Sequence, residues 1–174
     1  MNAVAGTGAG YRIERIHVAE QAYTSSITED LRETADPTDR IVQFGWDWRP
    51  LAPRRFEVVV EIVCKPISIA PESARVRIFG VFTADPGAPA LSFGEFLRFN
   101  ALAILFPYAR EVISTMTGRG PYGAFHLNPL NLRALMKDFD ISTTQGAEFL
   151  RAHPELAAEF GLEYQTRTEL AEPR

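Results

Sequence analysis

Apolar and polar residues alternate with period two through much of the first half of the chain, then switch to a helical period. From Arg54 to Lys65, Phe56, Val58, Val60, Ile62 and Cys64 share one face, while Glu57, Glu61 and Lys65 mark the other. Pro66 ends that strand. From Ser73 to Thr83, Ala74, Val76, Ile78, Gly80 and Phe82 alternate with Arg75, Arg77, Phe79 and Val81, and Asp85-Pro86-Gly87 marks a turn. Tyr11 to Ser26 reads as a first strand of imperfect register. Tyr11, Ile13 and Tyr23 point one way and Ile16 and Val18 the other, as in an edge strand or one carrying a bulge. Thr28 to Arg40 is polar and holds Asp36-Pro37, so a crossover loop or irregular excursion is expected. Three or four strands without intervening helices predict an antiparallel meander.

A long helix is expected from Ser92 to Thr117, with Ser92 as cap, Glu95 at the capping-box position and Gly118 as its stop. One apolar stripe holds Leu102, Leu105, Phe106, Ala109, Ile113 and Met116; a second holds Leu97, Ala101, Ile104, Tyr108 and Val112. A helix on one sheet needs a single apolar arc, so two arcs predict a covering partner subunit. Pro107 predicts a kink. A second helix is expected to start with Asn128 as cap and Pro129 first, carrying Leu132, Leu135, Met136 and Phe139. Thr143 or Thr144 can cap a further helix, which His153-Pro154 interrupts. The expected divisions are a flexible lead over 1–10, a main domain over 11–140, an extra helical segment over 141–161 and a flexible tail over 162–174.

Both tryptophans fall in Phe44-Gly45-Trp46-Asp47-Trp48-Arg49-Pro50. Either they plug the edge of the core, or they line an adaptable apolar surface. The chain of 174 residues fits one domain. A net charge of −4 and a pI near 5.4 argue against nucleic acid as partner. One cysteine, Cys64, excludes an internal disulfide framework, and neither a signal peptide nor a membrane span is legible, so a cytoplasmic protein is expected.

Catalytic chemistry is not legible. His17, His126 and His153 are widely separated and lack metal-ligand spacing; Cys64 sits mid-strand on the apolar face. Gly6-Thr7-Gly8-Ala9-Gly10 lacks the strand, the spacing and the βαβ context of a phosphate loop. No catalytic residue, cofactor or metal is expected.

Leu105-Phe106-Pro107-Tyr108-Ala109-Arg110-Glu111, Ile113-Ser114, Gly118-Arg119-Gly120 and Leu127-Asn128-Pro129-Leu130-Asn131 together resemble the signature of the SecB family of protein-export chaperones. Tyr11-Arg12-Ile13-Glu14-Arg15-Ile16-His17 and Trp48 with Pro50 extend the resemblance, which covers roughly residues 11 to 139. It implies an α+β fold: a four-stranded antiparallel sheet with a long helix packed on one face, plus shorter C-terminal helices. It also implies an ATP-independent holdase for unfolded or preprotein clients, assembled as a dimer of dimers. Phe44, Trp46, Trp48, Tyr122, Phe125 and Leu127 would line the client groove. Leu102, Leu105, Phe106, Tyr108, Ala109, Val112 and Ile113 would form the oligomer interface. Export members dock the translocase motor through acids on the outer sheet face. Glu20 fits that pattern, whereas Thr24 and Arg75 depart from it and Arg77 adds further positive charge. A chaperone of a toxin–antitoxin module, protecting one antitoxin, is therefore an alternative. A small-molecule-binding α+β domain or enzyme is the alternative of a different class.

Overall fold

The computed structural model describes residues 10–25, 40–66, 72–85, 91–136, 144–157 and 160. Four strands form one antiparallel sheet: β1 (Tyr11–Ser25), β2 (Arg40–Ala52), β3 (Arg55–Pro66) and β4 (Glu72–Ala84). Their order is β1-β4-β3-β2. The expected simple meander is thus corrected: β2, β3 and β4 are sequential neighbours, but β1 pairs with β4 at the far edge, a Greek-key arrangement. Of the crossover expected from Thr28 to Arg40, only Arg40 is described, and it opens β2; the lead before Gly10, Phe139 and the tail over 162–174 lie outside the described residues.

Two bulges resolve the uneven pattern of β1. Register shifts between Ile13 and Arg15 and between Val18 and Glu20 bring Ile13, Ile16, Val18 and Tyr23 opposite Phe82, Gly80, Ile78 and Ala74. The extra residue in each bulge absorbs the odd spacing that put Ile16 and Val18 on the wrong face in a regular strand.

The tryptophan segment lies within β2. Phe44, Trp46 and Trp48 pair with Ile62, Val60 and Val58 on the helix side, while Gly45, Asp47 and Arg49 take the outer side. Pro50 is tolerated because β2 is an edge strand.

The helical run that covers the sheet has three parts: α1 (Phe93–Glu95), a π-helical turn (Phe96–Ala101) and α2 (Leu102–Gly118). Ser92 and Glu95 form the expected capping box, the Ser92 hydroxyl accepting from the Glu95 N–H at 3.3 Å and the Ser92 N–H donating to the Glu95 carboxylate at 3.0 Å. Leu102, Leu105, Phe106, Ala109 and Ile113 are buried on the core side of α2. The helix approaches closely at Gly80, where a Cβ would sit 2.7 Å from the Leu105 side chain. Pro107 stays inside α2 on its exposed side; the wide turn ends at Ala101, six residues earlier.

That wide turn also revises the two-arc argument. Phe96, Leu97, Ala101 and Leu102 are all buried within this one chain. A π turn adds a residue, so more of its circumference can face inward. The second arc is therefore partly the chain's own core. Of its later members, Ile104 and Val112 are half-buried against the core, and Tyr108 is exposed.

Three short helices follow: α3 (Leu132–Leu135), α4 (Gln145–Ala152) and α5 (Pro154–Ala157). The cap of α3 is Asn131 rather than Asn128, its side chain accepting from the Ala134 N–H at 3.0 Å. Pro129 therefore lies ahead of the helix, in an irregular segment that carries the buried Leu127 and half-buried Leu130. Phe93 and Phe96 join Trp48, Phe56, Phe82 and Phe160 in an aromatic cluster at one end of the core, with Tyr11 stacked on Phe96 at 4.0 Å. Full burial of each such ring contributes roughly 1.5–3 kcal/mol.

Candidate functional site

A groove of about 500 Å3 opens at the end of the sheet away from this cluster. Val42 and Phe44 of β2 form one wall, and the segment from Tyr122 to Leu130 forms the other. Ile62 and Phe106, both buried, make its floor. Phe44 meets Phe106 edge to face at 6.4 Å.

The last turn of α2 holds the second wall in place. The Thr117 hydroxyl donates to the Ile113 carbonyl at 2.8 Å and accepts from the Phe125 N–H at 2.7 Å. Ser114 and His126 meet at 3.1 Å. Gly120 turns the chain, its N–H donating to the Thr117 carbonyl at 2.8 Å. A Cβ there would collide with the Tyr23 hydroxyl and crowd the Glu72 carboxylate at 2.9 Å, so only glycine fits.

Beneath that turn lies a buried polar cluster. The Glu72 carboxylate accepts from the Tyr23 hydroxyl and pairs with the Arg40 guanidinium. The Arg40 and Glu72 side chains are 3% and 1% exposed. Arg40 also lies over the Phe125 ring, 4.5 Å from its centre, and lines the groove. Burial, and then the bond to Glu72, push the Tyr23 hydroxyl above its ordinary pKa. Burial likewise pushes the Cys64 thiol up to about 11, which makes it a poor nucleophile. Among the described residues, no group of three or more His, Cys, Asp or Glu could hold a metal ion. What this groove offers is apolar and aromatic wall.

The structure brings Phe44, Tyr122, Phe125 and Leu127 together as sequence reasoning grouped them. It separates the tryptophans from them. Trp48 is buried in the core, its indole N–H donating to Thr144 at 2.8 Å. Trp46 is half-buried and borders a second recess of about 420 Å3 with Arg49, Glu57 and Arg77. Of the expected interface residues, Leu102, Leu105, Phe106, Ala109 and Ile113 pack within the chain's own core; Tyr108 is exposed and Val112 half-buried. Sequence reasoning missed Arg40, Val42 and Ile62 as groove residues. The alternation of β2 carried the signal for Val42, which lies two residues before Phe44 on the same face.

On the outer sheet face Glu20 is not a free acid. Arg75 reaches it at 3.4 Å and also pairs with Glu61 at 2.7 Å. His17 stacks on Phe79 at 5.3 Å beside Arg77. Among the described residues, no helix is long and apolar enough to cross a membrane.

A four-stranded sheet backed by one helix, with an open and largely apolar groove at its end, is an α+β domain with room for an apolar ligand. The family described as preprotein translocase subunit SecB matches residues 10–143, and the chain belongs to the SecB family of chaperones. The protein-export protein SecB of Haemophilus ducreyi is 30% identical over 112 residues, covering 55% of this chain and 64% of that protein. The SecB of Acidithiobacillus ferrooxidans is 28% identical over 132 residues, covering 72% and 86%. Among solved structures, a SecB-like chaperone of Mycobacterium tuberculosis, in complex with a ChAD peptide from an antitoxin, matches with a TM-score of 0.55 at 15% identity. That match covers 71% of this chain and 89% of the other. It shows the same fold.

Proposed function

We propose that the chain is an ATP-independent holdase that takes apolar stretches of unfolded or preprotein clients into the groove between β2 and residues 122–130. The observation that carries this is the lining: Phe44, Phe106, Tyr122, Phe125 and Leu127 converge on one open groove. Burial of apolar surface makes little directional demand, so such walls accept many sequences. On this reading the protein is not an enzyme, needs no cofactor and acts in the cytoplasm. Trp46, half-buried on the helix side of β2 two residues beyond Phe44, extends the client surface; Trp48 serves the core.

The working form is a homotetramer. Its support is apolar surface left open on two faces: Ile13 and Val18 on β1, and Phe99 and Tyr108 on the helix. Tyr108 and Val112 then remain as subunit contacts, while the five buried residues act within the chain.

Client choice tilts toward a few dedicated clients, an antitoxin among them, over delivery to the translocase motor. The observation in favour is the neutralised outer face, where Arg75 pairs with both Glu20 and Glu61. The solved relative's antitoxin peptide points the same way.

The test is suppression of aggregation of a chemically unfolded protein, without nucleotide. Phe125→Ser is expected to lose suppression while keeping wild-type circular dichroism. Full suppression by a folded Phe125→Ser variant would move client capture away from this groove.

A further inference from the structure

One side chain joins the two walls of the groove. Arg40 stands on the same face of β2 as Val42 and Phe44. Its guanidinium reaches over the Phe125 ring of the opposite wall, 4.5 Å from the ring centre. The chain over 123–131 is neither helix nor strand, so no strand pairing fixes its distance from β2. Thr117 and Ser114 tie that chain to α2, which lies chiefly over β4 and β3. Arg40 ties it to β2.

Arg40 is itself held from behind. Glu72 of β4 pairs with its guanidinium, and Tyr23 of β1 donates to the same carboxylate. Neither Glu72 nor Tyr23 lines the groove. The Arg40 side chain is only 3% exposed, so it acts on an occupant through the ring it holds rather than by touching it.

We propose that Arg40 is a positioning residue that sets the width of the groove: its cation draws the Phe125 ring toward β2, so that slim aliphatic side chains are favoured over bulky aromatic ones. This rests on the groove being the client site, and it adds what limits the choice among apolar residues. A cation is attracted to the negative face of an aromatic ring, most strongly where water is excluded. That attraction favours close approach, whereas apolar contact alone makes little directional demand. Without the cation the Phe125 backbone keeps its bond to Thr117, and the wall relaxes toward α2.

The test compares two labelled, lysine-flanked peptides of equal length by fluorescence anisotropy, one with valine and one with tryptophan as its apolar residue. Arg40→Met with Glu72→Met removes the cation and strands no charge. The ratio of tryptophan-peptide to valine-peptide affinity is expected to rise roughly two- to fivefold, the range of one cation–π contact. The same pair of changes made in Phe125→Leu should leave the ratio where Phe125→Leu alone puts it, which a general loosening of the fold would not do. Arg40→Lys keeps a charge opposite Glu72 without the flat guanidinium; it should raise the ratio too, and it replaces the methionine pair if that variant does not fold. A ratio that is unchanged or falls in the folded variants overturns the positioning role alone, as does an equal rise with and without the Phe125 ring. A wild-type protein that binds neither peptide overturns the groove as client site, and the role of Arg40 with it.

Discussion

The indole N–H of Trp48 donates to the hydroxyl of Thr144 at 2.8 Å, across 96 residues of sequence. The same hydroxyl accepts from the Ala147 N–H at 3.2 Å, so one oxygen caps α4 and satisfies a buried tryptophan. Gly146 lies so close to the indole that any Cβ there would strike the ring. The helix beyond the family-matched region is thereby fastened to β2.

Thr144→Val should test that fastening. It orphans the buried indole N–H and uncaps α4, at a combined cost of about 2–4 kcal/mol. Urea unfolding followed by tryptophan emission reads both the midpoint and any exposure of Trp48. A midpoint equal to wild type would mean that packing alone holds α4.

Glu72→Gln should cost about 3–5 kcal/mol, because it leaves the Arg40 cation buried without its counter-ion. The double variant Arg40→Met with Glu72→Met should recover much of the loss, since no charge is then stranded. Denaturant midpoints for the two variants decide the matter: a double variant less stable than the single one would contradict it.

Stability should fall in alkali. Burial, with Glu95 adding to it, pushes the Tyr11 hydroxyl up to about 12 from 10.0. The folded state therefore holds this proton more tightly than the unfolded chain. The resulting stability is complete below pH 10 and is lost as pH rises through about 12. Tyr11→Phe should flatten that part of the melting-temperature profile, and an unaltered profile would assign the alkaline loss to other groups, Cys64 among them.

Leu105 and Tyr108 should separate folding from assembly. Leu105 packs against Gly80 in the core, so Leu105→Asp should unfold the subunit itself. Tyr108 is half exposed, so Tyr108→Asp should leave circular dichroism intact and reduce the mass seen by light scattering. A tetramer unaffected by Tyr108→Asp would place the subunit contact elsewhere.

Arg75→Glu should restore acid to the outer face beside Glu20 and Glu61. The expected result is a gain of salt-sensitive binding to the translocase motor relative to wild type. Equal binding by both proteins would disconnect docking from this charge.

Alternation made β3 and β4 legible to within a residue or two, because one face of each is fully buried. The capping box and the Thr144 cap were legible for the same kind of reason: their chemistry is local. Strand order was not, since β1 pairs with β4, the strand furthest from it in the chain, and the alternation within a strand says nothing of its partner. The tryptophans stayed ambiguous because aromatic residues between Gly45 and Pro50 suit the edge of the core as well as an open surface, and Trp48 takes the first place while Trp46 is half-buried. Phe44, Tyr122, Phe125 and Leu127 could be grouped through the family resemblance. Arg40 could not, because its role depends on Glu72 and Phe125, which only the fold brings near it.

The wide turn at Phe96–Ala101 has a consequence for length. Six residues of a π turn cover about the rotation of five in an α-helix, so the turn absorbs one surplus residue. Winding the same residues as an ordinary α-helix would rotate everything before them by about 100° and swing Phe93 and Phe96 away from Phe56 and Phe82, while α2 kept its seat on the sheet. Deleting one residue there should therefore restore the ordinary repeat and keep both ends in phase, one plugging the aromatic cluster while the other floors the groove.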